Sequence, residues 1–138
     1  MIVTGSISFQ TRGDCDIIDI TPQIARQVTE SGVNSGTVTV FVPGSTAGVT
    51  TIEYESGLVA DLKHLWERIV PRDVPYDHDR RWGDGNGHSH VRAAMLGPSL
   101  VVPFVDGRLT LGTWQQIIFV DFDNRPRSRQ AILQIMGE

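Results

Sequence analysis

Length, composition and charge limit what this chain can be. It has 138 residues, a formal net charge of −4 and one cysteine, which fits a single globular domain over residues 1–138 without an internal disulfide. The acidic balance argues against nucleic-acid binding, and no apolar run of about 18 residues predicts a membrane segment. No export signal is recognised, so the expected location is the cytoplasm.

The first half of the chain alternates between strand and helix patterns. β-branched residues with a period of two in residues 2–20 predict a hairpin whose turn is Thr-Arg-Gly-Asp. Thr21 as the N-cap, followed by Pro22, predicts a helix that ends at Gly32. Two further strands are predicted on either side of a Gly-Ser-Thr-Ala turn, at residues 36–43 and 48–55.

The second half begins with an amphipathic helix. Apolar residues near a 3.6-residue spacing predict this helix over residues 58–70, and Pro71 stops it. Residues 71–87 are polar and glycine-rich, and they predict an irregular segment before a helix over 88–96. Strands are then predicted at 99–106, 108–114, 115–123 and 127–137. About eight strands and three helices joined by short turns indicate an α+β fold with a largely antiparallel sheet.

Three of the four histidines lie close together in the sequence, at His78, His88 and His90. Imidazole is a common metal ligand, so the cluster indicates a metal site. Residues two apart on a helix point about 200° apart, so His88 and His90 could not share one ion from inside a helix. If they share one, His88 is expected at the helix cap or before it. Gly85 and Gly87 are expected to supply this freedom through positive φ angles. The alternative is an ordinary solvated turn.

The same segment also favours anion binding. Free N–H groups at the start of the predicted helix attract phosphate, and Arg92 one turn later adds a fixed positive charge. The Gly-Ser-Thr-Ala turn and the strand after it add Thr46 and Glu53, although both are ordinary residues in such places. Cys15 has no neighbouring base, which favours a structural thiol over a nucleophile.

Four segments carry a family resemblance: VFVPGSTAGVTTIE, GDGNGHSHVRAAMLGPSL, VPFVDGRLTLGTWQQIIFVDFD and ILQIMGE. Together they closely resemble the YjbQ family, also called UPF0047 or the secondary thiamine-phosphate synthase family, over essentially the whole chain. The resemblance implies an α+β domain that assembles as a homotrimer. It also implies weak joining of hydroxymethylpyrimidine diphosphate to thiazole phosphate. The family often carries His-Thr where this chain has Gly44 and Ser45.

The resemblance also implies which residues line the site. Catalytic roles are expected for Glu53, Asp84 and His88, and metal binding for His78, His88 and His90, with Asp84 orienting a ligand ring. Substrate binding is expected from Thr46, Asn86 and Gln115, and the anion-binding interpretation of the helix start adds Arg92.

A divalent metal ion and a small phosphorylated molecule are the expected ligands. Imidazoles with a nearby carboxylate favour zinc, and magnesium would suit a diphosphate substrate. Three alternatives stay open: a metal-dependent hydrolase with Glu53 as general base, a non-catalytic metal- or phosphate-binding protein, and a site where protonated histidines hold phosphate without metal. The strands at 99–106 and 115–123 are apolar at nearly every position, so both faces are expected to be covered by helices or by another subunit.

Overall fold

The computed structural model describes all residues from 1 to 138 as one α+β domain with four helices and eight strands. The helices are α1 (Thr21–Glu30), α2 (Ser56–Ile69), α3 (Asp77–Trp82) and α4 (Gly87–Leu96). The strands are β1 (Ile2–Thr11), β2 (Asp16–Asp19), β3 (Gly36–Phe41), β4 (Ala47–Ile52), β5 (Ser99–Val105), β6 (Arg108–Leu109), β7 (Gln116–Asp121) and β8 (Arg127–Gly137).

The strands form two sheets in which every pairing is antiparallel. The larger sheet has five strands in the order β1-β8-β3-β5-β6, and the smaller has the order β2-β7-β4. The register pairs Thr11 with Arg127 in the larger sheet and Ala47 with Asp121 in the smaller one. The end of β1 therefore lies beside the start of β8, and the end of β7 lies beside the start of β4.

Two apolar clusters show how the layers pack. In the first, Leu133 and Phe104 of the larger sheet lie with Phe119 of β7 and Ile24 of α1. In the second, Ile118 and its neighbours on β7 contact α2 and α4 on the opposite face of the smaller sheet. Successive residues of a strand face opposite sides, so β7 is buried on both faces within one chain.

The hairpin predicted for the first twenty residues is wrong. β1 pairs with β8 in the larger sheet, whereas β2 pairs with β7 in the smaller one. The backbone changes sheet through positive φ angles at Gly13, Asp14 and Cys15, which prevent the two strands from continuing as one ladder. Thr21 is also the first residue of α1 and not its N-cap, which is Ile20.

The segment predicted to be irregular contains a short helix, α3. Its Asp77 and Asp79 lie in the first turn, its Arg80 and Arg81 in the last, and Gly83 ends it with φ of 66°. These charges suit the helix dipole and the glycine suits a left-handed C-cap. Further on, the strand predicted over residues 108–114 is much shorter in the structure, where β6 includes only Arg108 and Leu109.

The outer face of the larger sheet is unusually free of charge. On β1, β8, β3 and β5 every outward residue is apolar, hydroxylic or an amide. Several large apolar side chains there are exposed, including Ile2, Phe41, Val101, Val105 and Met136. No element of the chain covers this face.

None of the four helices has the length and apolar character needed to cross a membrane.

Candidate functional site

Polar residues are concentrated where β1 and β7 end and β4 and β8 begin. Asp121 of β7 is fully buried and binds the Arg129 guanidinium through two hydrogen bonds, Nε to Oδ2 at 2.7 Å and Nη2 to Oδ1 at 2.8 Å. Thr11 also donates its hydroxyl to this carboxylate. The ion pair of Asp121 and Arg129 joins the two sheets, and the hydrogen bonds that Arg129 donates to Asp121 raise the pKa of the guanidinium.

A second carboxylate, Asp123, extends this network. Its Oδ2 accepts hydrogen bonds from the Thr46 hydroxyl at 3.0 Å and from Arg127 at 2.8 Å. Burial opposes ionisation, but hydrogen bonds from Thr46 and Asn86 and the charge of Arg127 hold the pKa of Asp123 below its ordinary value. Asp123 therefore stays ionised although it is buried.

The start of α4 is attached to the same strand ends. Asn124 donates its main-chain N–H to Asn86 Oδ1 at 3.2 Å and its side-chain amide to the Asp84 carbonyl at 2.7 Å. Gly85 has the positive φ expected of it, 66°. Gly87 is helical instead, and its missing side chain matters for packing, because a Cβ there would lie 2.6 Å from the Cβ of Tyr76.

His78, Asp79 and Asp84 form a compact group beside this helix start. The Nδ1 of His78 lies 3.4 Å from Asp84 Oδ1 and 3.6 Å from Asp79 Oδ1, and one possible ligand atom from each residue fits within 4.8 Å of the others. This nitrogen is buried and makes no hydrogen bond. One imidazole and two carboxylates around one point form a ligand set that divalent cations accept.

His90 joins this group from α4. Its ring centroid lies 4.4 Å from that of His78. It also lines a cavity of about 240 Å³ between α4 and the Gly-Ser-Thr-Ala turn, with Gly44, Ser45 and Ala47 on the opposite side. Asp84 and His90 are therefore near His78, whereas Asn86 and Thr46 both hydrogen-bond to Asp123.

His88 lies elsewhere. It is the second residue of α4 and is almost fully buried, with its ring 6.4 Å from that of Tyr76. Burial, followed by the charge of Arg92, lowers the pKa of His88. Because both His88 and His90 are helical, their side chains diverge, so the helix does not bring His88 to the group that contains His78.

Arg92 is occupied by a structural contact. Its guanidinium donates to the Val70 carbonyl at the end of α2, through Nε at 3.0 Å and Nη2 at 2.9 Å, and to Glu67 Oε1 at 2.9 Å. The side chain is 1% exposed. It joins α4 to α2 and is not directed at the histidines.

Glu53 and Gln115 are also separate from the histidine group within one chain. Glu53 lines a cleft of about 500 Å³ with Asp19, Glu55 and the exposed Trp114. Gln115 donates to the Thr51 hydroxyl at 3.1 Å and lies in a different hollow, against β5. Cys15 is buried as a structural thiol, and this burial raises its pKa to about 11.

Comparison with known proteins identifies the family. The sequence model described as UPF0047 protein YjbQ-like matches residues 5–138. The chain belongs to the YjbQ-like UPF0047 family. A UPF0047 protein of Archaeoglobus fulgidus is 41% identical over 130 residues, covering 94% of this chain and 98% of that protein. UPF0047 protein YugU of Bacillus subtilis is 33% identical, covering 96% and 98%.

Solved structures of the family have the same fold. A YbjQ-like protein of unknown function from Sulfolobus solfataricus superposes with a TM-score of 0.94 at 31% identity, covering 100% of this chain and 99% of that one. A hypothetical protein from Aeropyrum pernix gives 0.91 at 34% identity, covering 99% of both. These likenesses establish the family and its fold.

Sequence reasoning missed the four charged residues of the polar network and one carboxylate of the histidine group. The missed residues are Asp79, Asp121, Asp123, Arg127 and Arg129. The alternating pattern of β8 does not show that Arg127 and Arg129 bind carboxylates at the end of the other sheet. The only signal was the presence of charged residues within otherwise apolar strands, at Asp121 and Arg129.

Proposed function

We propose that the chain binds a divalent metal ion through His78, Asp79 and Asp84, and that it uses this ion to hold a small phosphorylated molecule. The observation that supports the proposal is the His78 Nδ1 atom, which is buried without a hydrogen-bond partner and has two carboxylate oxygens within 3.6 Å. Burying such a nitrogen unpaired is costly. A cation between the three groups would satisfy it. His90, 4.4 Å away between ring centroids, is the fourth candidate ligand.

The reaction that fits this arrangement is weak thiamine-phosphate synthesis. The thiazole nitrogen forms a bond to the methylene carbon of hydroxymethylpyrimidine while the C–O bond to the diphosphate breaks, and pyrophosphate leaves. Negative charge builds up on the leaving group, and a bound divalent ion would neutralise it. The chain would contribute binding and orientation, with Thr46 and Asn86 supporting the site through their hydrogen bonds to the buried Asp123.

The two other functions are less well supported within one chain. Metal-dependent hydrolysis requires a general base, and the expected base Glu53 lines a different cleft from the histidines. A non-catalytic metal- or phosphate-binding protein uses the same residues as the synthase proposal. Turnover by the purified protein therefore separates these two.

The test is a synthase assay with untagged protein and two matched variants. His78→Ala removes the nitrogen that has no hydrogen-bond partner, whereas His64→Ala changes an exposed histidine on α2, outside the proposed site. We expect product formation to require His78 and to be unaffected at His64. Equal turnover in both variants would mean that a contaminating enzyme makes the product. Metal binding without any turnover would favour the non-catalytic alternative.

We also propose a homotrimer, as the resemblance implies. The support is the uncharged outer face of the larger sheet, where Val101, Val105 and Met136 are 56%, 54% and 45% exposed. A second copy of the chain would bury them. Sites at or near subunit interfaces would let Glu53 and Gln115 of one subunit approach the histidines of another. Sedimentation equilibrium at micromolar concentration is expected to give the trimer mass, and a monomer would contradict this proposal. Cytoplasmic location likewise stays a prediction.

A further inference from the structure

Arg129 has one hydrogen-bonding edge that the chain does not use. Its side chain is 9% exposed, and all three of its hydrogen bonds come from Nε and Nη2, which bind Asp121 and Thr46. Its Nη1 atom donates to no group of the protein. Solvent reaches this atom, since it is not among the fully buried atoms without a partner, and its pair of N–H donors on a rigidly held guanidinium is therefore available to a ligand.

Gly44 leaves this unused edge uncovered. A Cβ built on Gly44 would lie 3.2 Å from Arg129 Nη1, and no other atom of the chain is within 4 Å of that position. Any larger residue there would place carbon against the donors. Gly44 does not have a positive φ angle, so the turn does not need glycine for its backbone conformation.

The surroundings of this edge suit an anion. The Ser45 residue beside Gly44 is exposed, and its main-chain N–H makes no hydrogen bond. Three arginines, Arg125, Arg127 and Arg129, lie around two aspartates, Asp121 and Asp123, which leaves one positive charge in excess. Charge-assisted donors with a net positive charge attract oxyanions.

The cavity beside Gly44 has space for such a group. It measures about 240 Å³, it is bounded by Gly44, Ser45 and His90, and Ala47, Ala93 and Pro98 form its apolar wall. The Thr46 hydroxyl, which receives Arg129 Nη2 at 2.7 Å, donates in turn to Asp123. These bonds hold Arg129 rigidly against the turn that borders the cavity, although Arg129 does not itself line the cavity.

We propose that Arg129 Nη1 and the Ser45 N–H form a subsite for a phosphoryl oxyanion at the Gly44 turn, whose residues Gly44 and Ser45 also line the cavity that contains His90. This assignment rests on the proposed function and deepens it, because it names the arginine and the turn that would hold the phosphate of the ligand. Arg129, and not Arg92, is then the arginine that binds the anion.

The experiment is a titration with inorganic phosphate in the presence of EDTA. Binding is detected by calorimetry and by changes in the NMR signals of the arginine side chains. Gly44→Ala covers Nη1 without removing the Asp121 pair, and Gly44→Asp places a competing carboxylate there. Gly112→Ala is the matched control, because a Cβ at Gly112 meets nothing closer than 3.7 Å. Thermal unfolding of each variant verifies that it is folded.

We expect Gly44→Ala to weaken phosphate binding about tenfold, the usual loss for one charge-assisted hydrogen bond, and Gly44→Asp to abolish it. Gly112→Ala should bind like the natural chain. Equal affinities in all four proteins, or no binding by the natural chain at millimolar phosphate, would overturn the subsite. Because no metal is present, this result is independent of the metal proposal. Methyl phosphate, titrated in the same way, shows whether the source is free phosphate or a phosphate ester, since the tighter ligand identifies it.

Discussion

Replacing Arg129 with methionine tests whether the buried ion pair joins the two sheets. Methionine fills a similar volume but leaves the Asp121 carboxylate, which has no exposed surface, without its two hydrogen bonds of 2.7 and 2.8 Å. Breaking a buried pair by removing one partner costs about 3–5 kcal/mol. This is a large part of the roughly 5–15 kcal/mol that stabilises a domain. We therefore expect Arg129→Met to be severely destabilised.

Two neighbouring arginines provide graded controls. The side chain of Arg127 is 36% exposed and makes one hydrogen bond of 2.8 Å, whereas that of Arg125 is 72% exposed and lies 3.9 Å from its carboxylate partner. Arg127→Met should cost about 1 kcal/mol, and Arg125→Met less than about 0.5 kcal/mol. The order of stability losses should thus follow burial.

Urea unfolding measures these losses through tryptophan fluorescence, in which the buried Trp66, packed edge-on against Phe122, should give the largest change. Asp121→Asn should restore part of the stability of Arg129→Met, because a neutral amide is cheaper to leave in the core than a carboxylate. If the three single variants lost equal stability, or if Asp121→Asn made the Arg129→Met protein weaker still, the buried pair would not have the role assigned to it.

Three further predictions concern His88, Cys15 and Glu53. Burial lowers the pKa of His88, so on acidification the unfolded chain binds a proton at this histidine before the folded chain does. The free energy of unfolding should therefore fall as pH drops below about 6.5, by up to about 1.4 kcal/mol per pH unit. His88→Gln should flatten that slope in urea titrations between pH 7.5 and 5.5, and an unchanged slope would exclude His88 as its source. With its pKa raised to about 11, Cys15 should react with a disulfide reagent at pH 8 only as the chain unfolds, and rapid labelling of folded protein would contradict its burial. Glu53→Gln should leave metal binding unchanged, whereas Asp84→Asn should reduce it, because of these two carboxylates Asp84 lies beside His78 and Glu53 lines a different cleft; isothermal titration with zinc measures both.

Local patterns predicted most of the secondary structure, because side-chain periodicity and capping residues act within a few positions. The amphipathic pattern of α2 and the apolar run of β7 are examples. The hairpin prediction failed at residues 12–15, because the backbone turns there into another sheet, and only long-range pairing with β7 and β8 decides that. The short helix α3 was missed because its charged sequence has no apolar stripe.

The candidate site was predicted only in part for the same reason. His78, His90, Asp84 and Asn86 lie within one stretch of sequence, so their proximity follows from local spacing. The pair of Asp121 and Arg129 connects strands of two different sheets, and no local pattern shows that contact. Whether His88 shares a ligand with His90 depends on where α4 begins, and it begins at Gly87, one residue before His88.

The proposed metal site is tested most directly by elemental analysis of untagged protein after incubation with zinc and gel filtration. We predict about one zinc ion per chain in the natural protein and in His64→Ala, and almost none in His78→Ala. Phosphate binding that rises as pH falls from 8 to 5.5, with no zinc above background, would instead identify a metal-free anion site held by protonated histidines. Equal zinc content in His78→Ala and the natural protein would contradict the assignment of His78, Asp79 and Asp84 as the metal ligands.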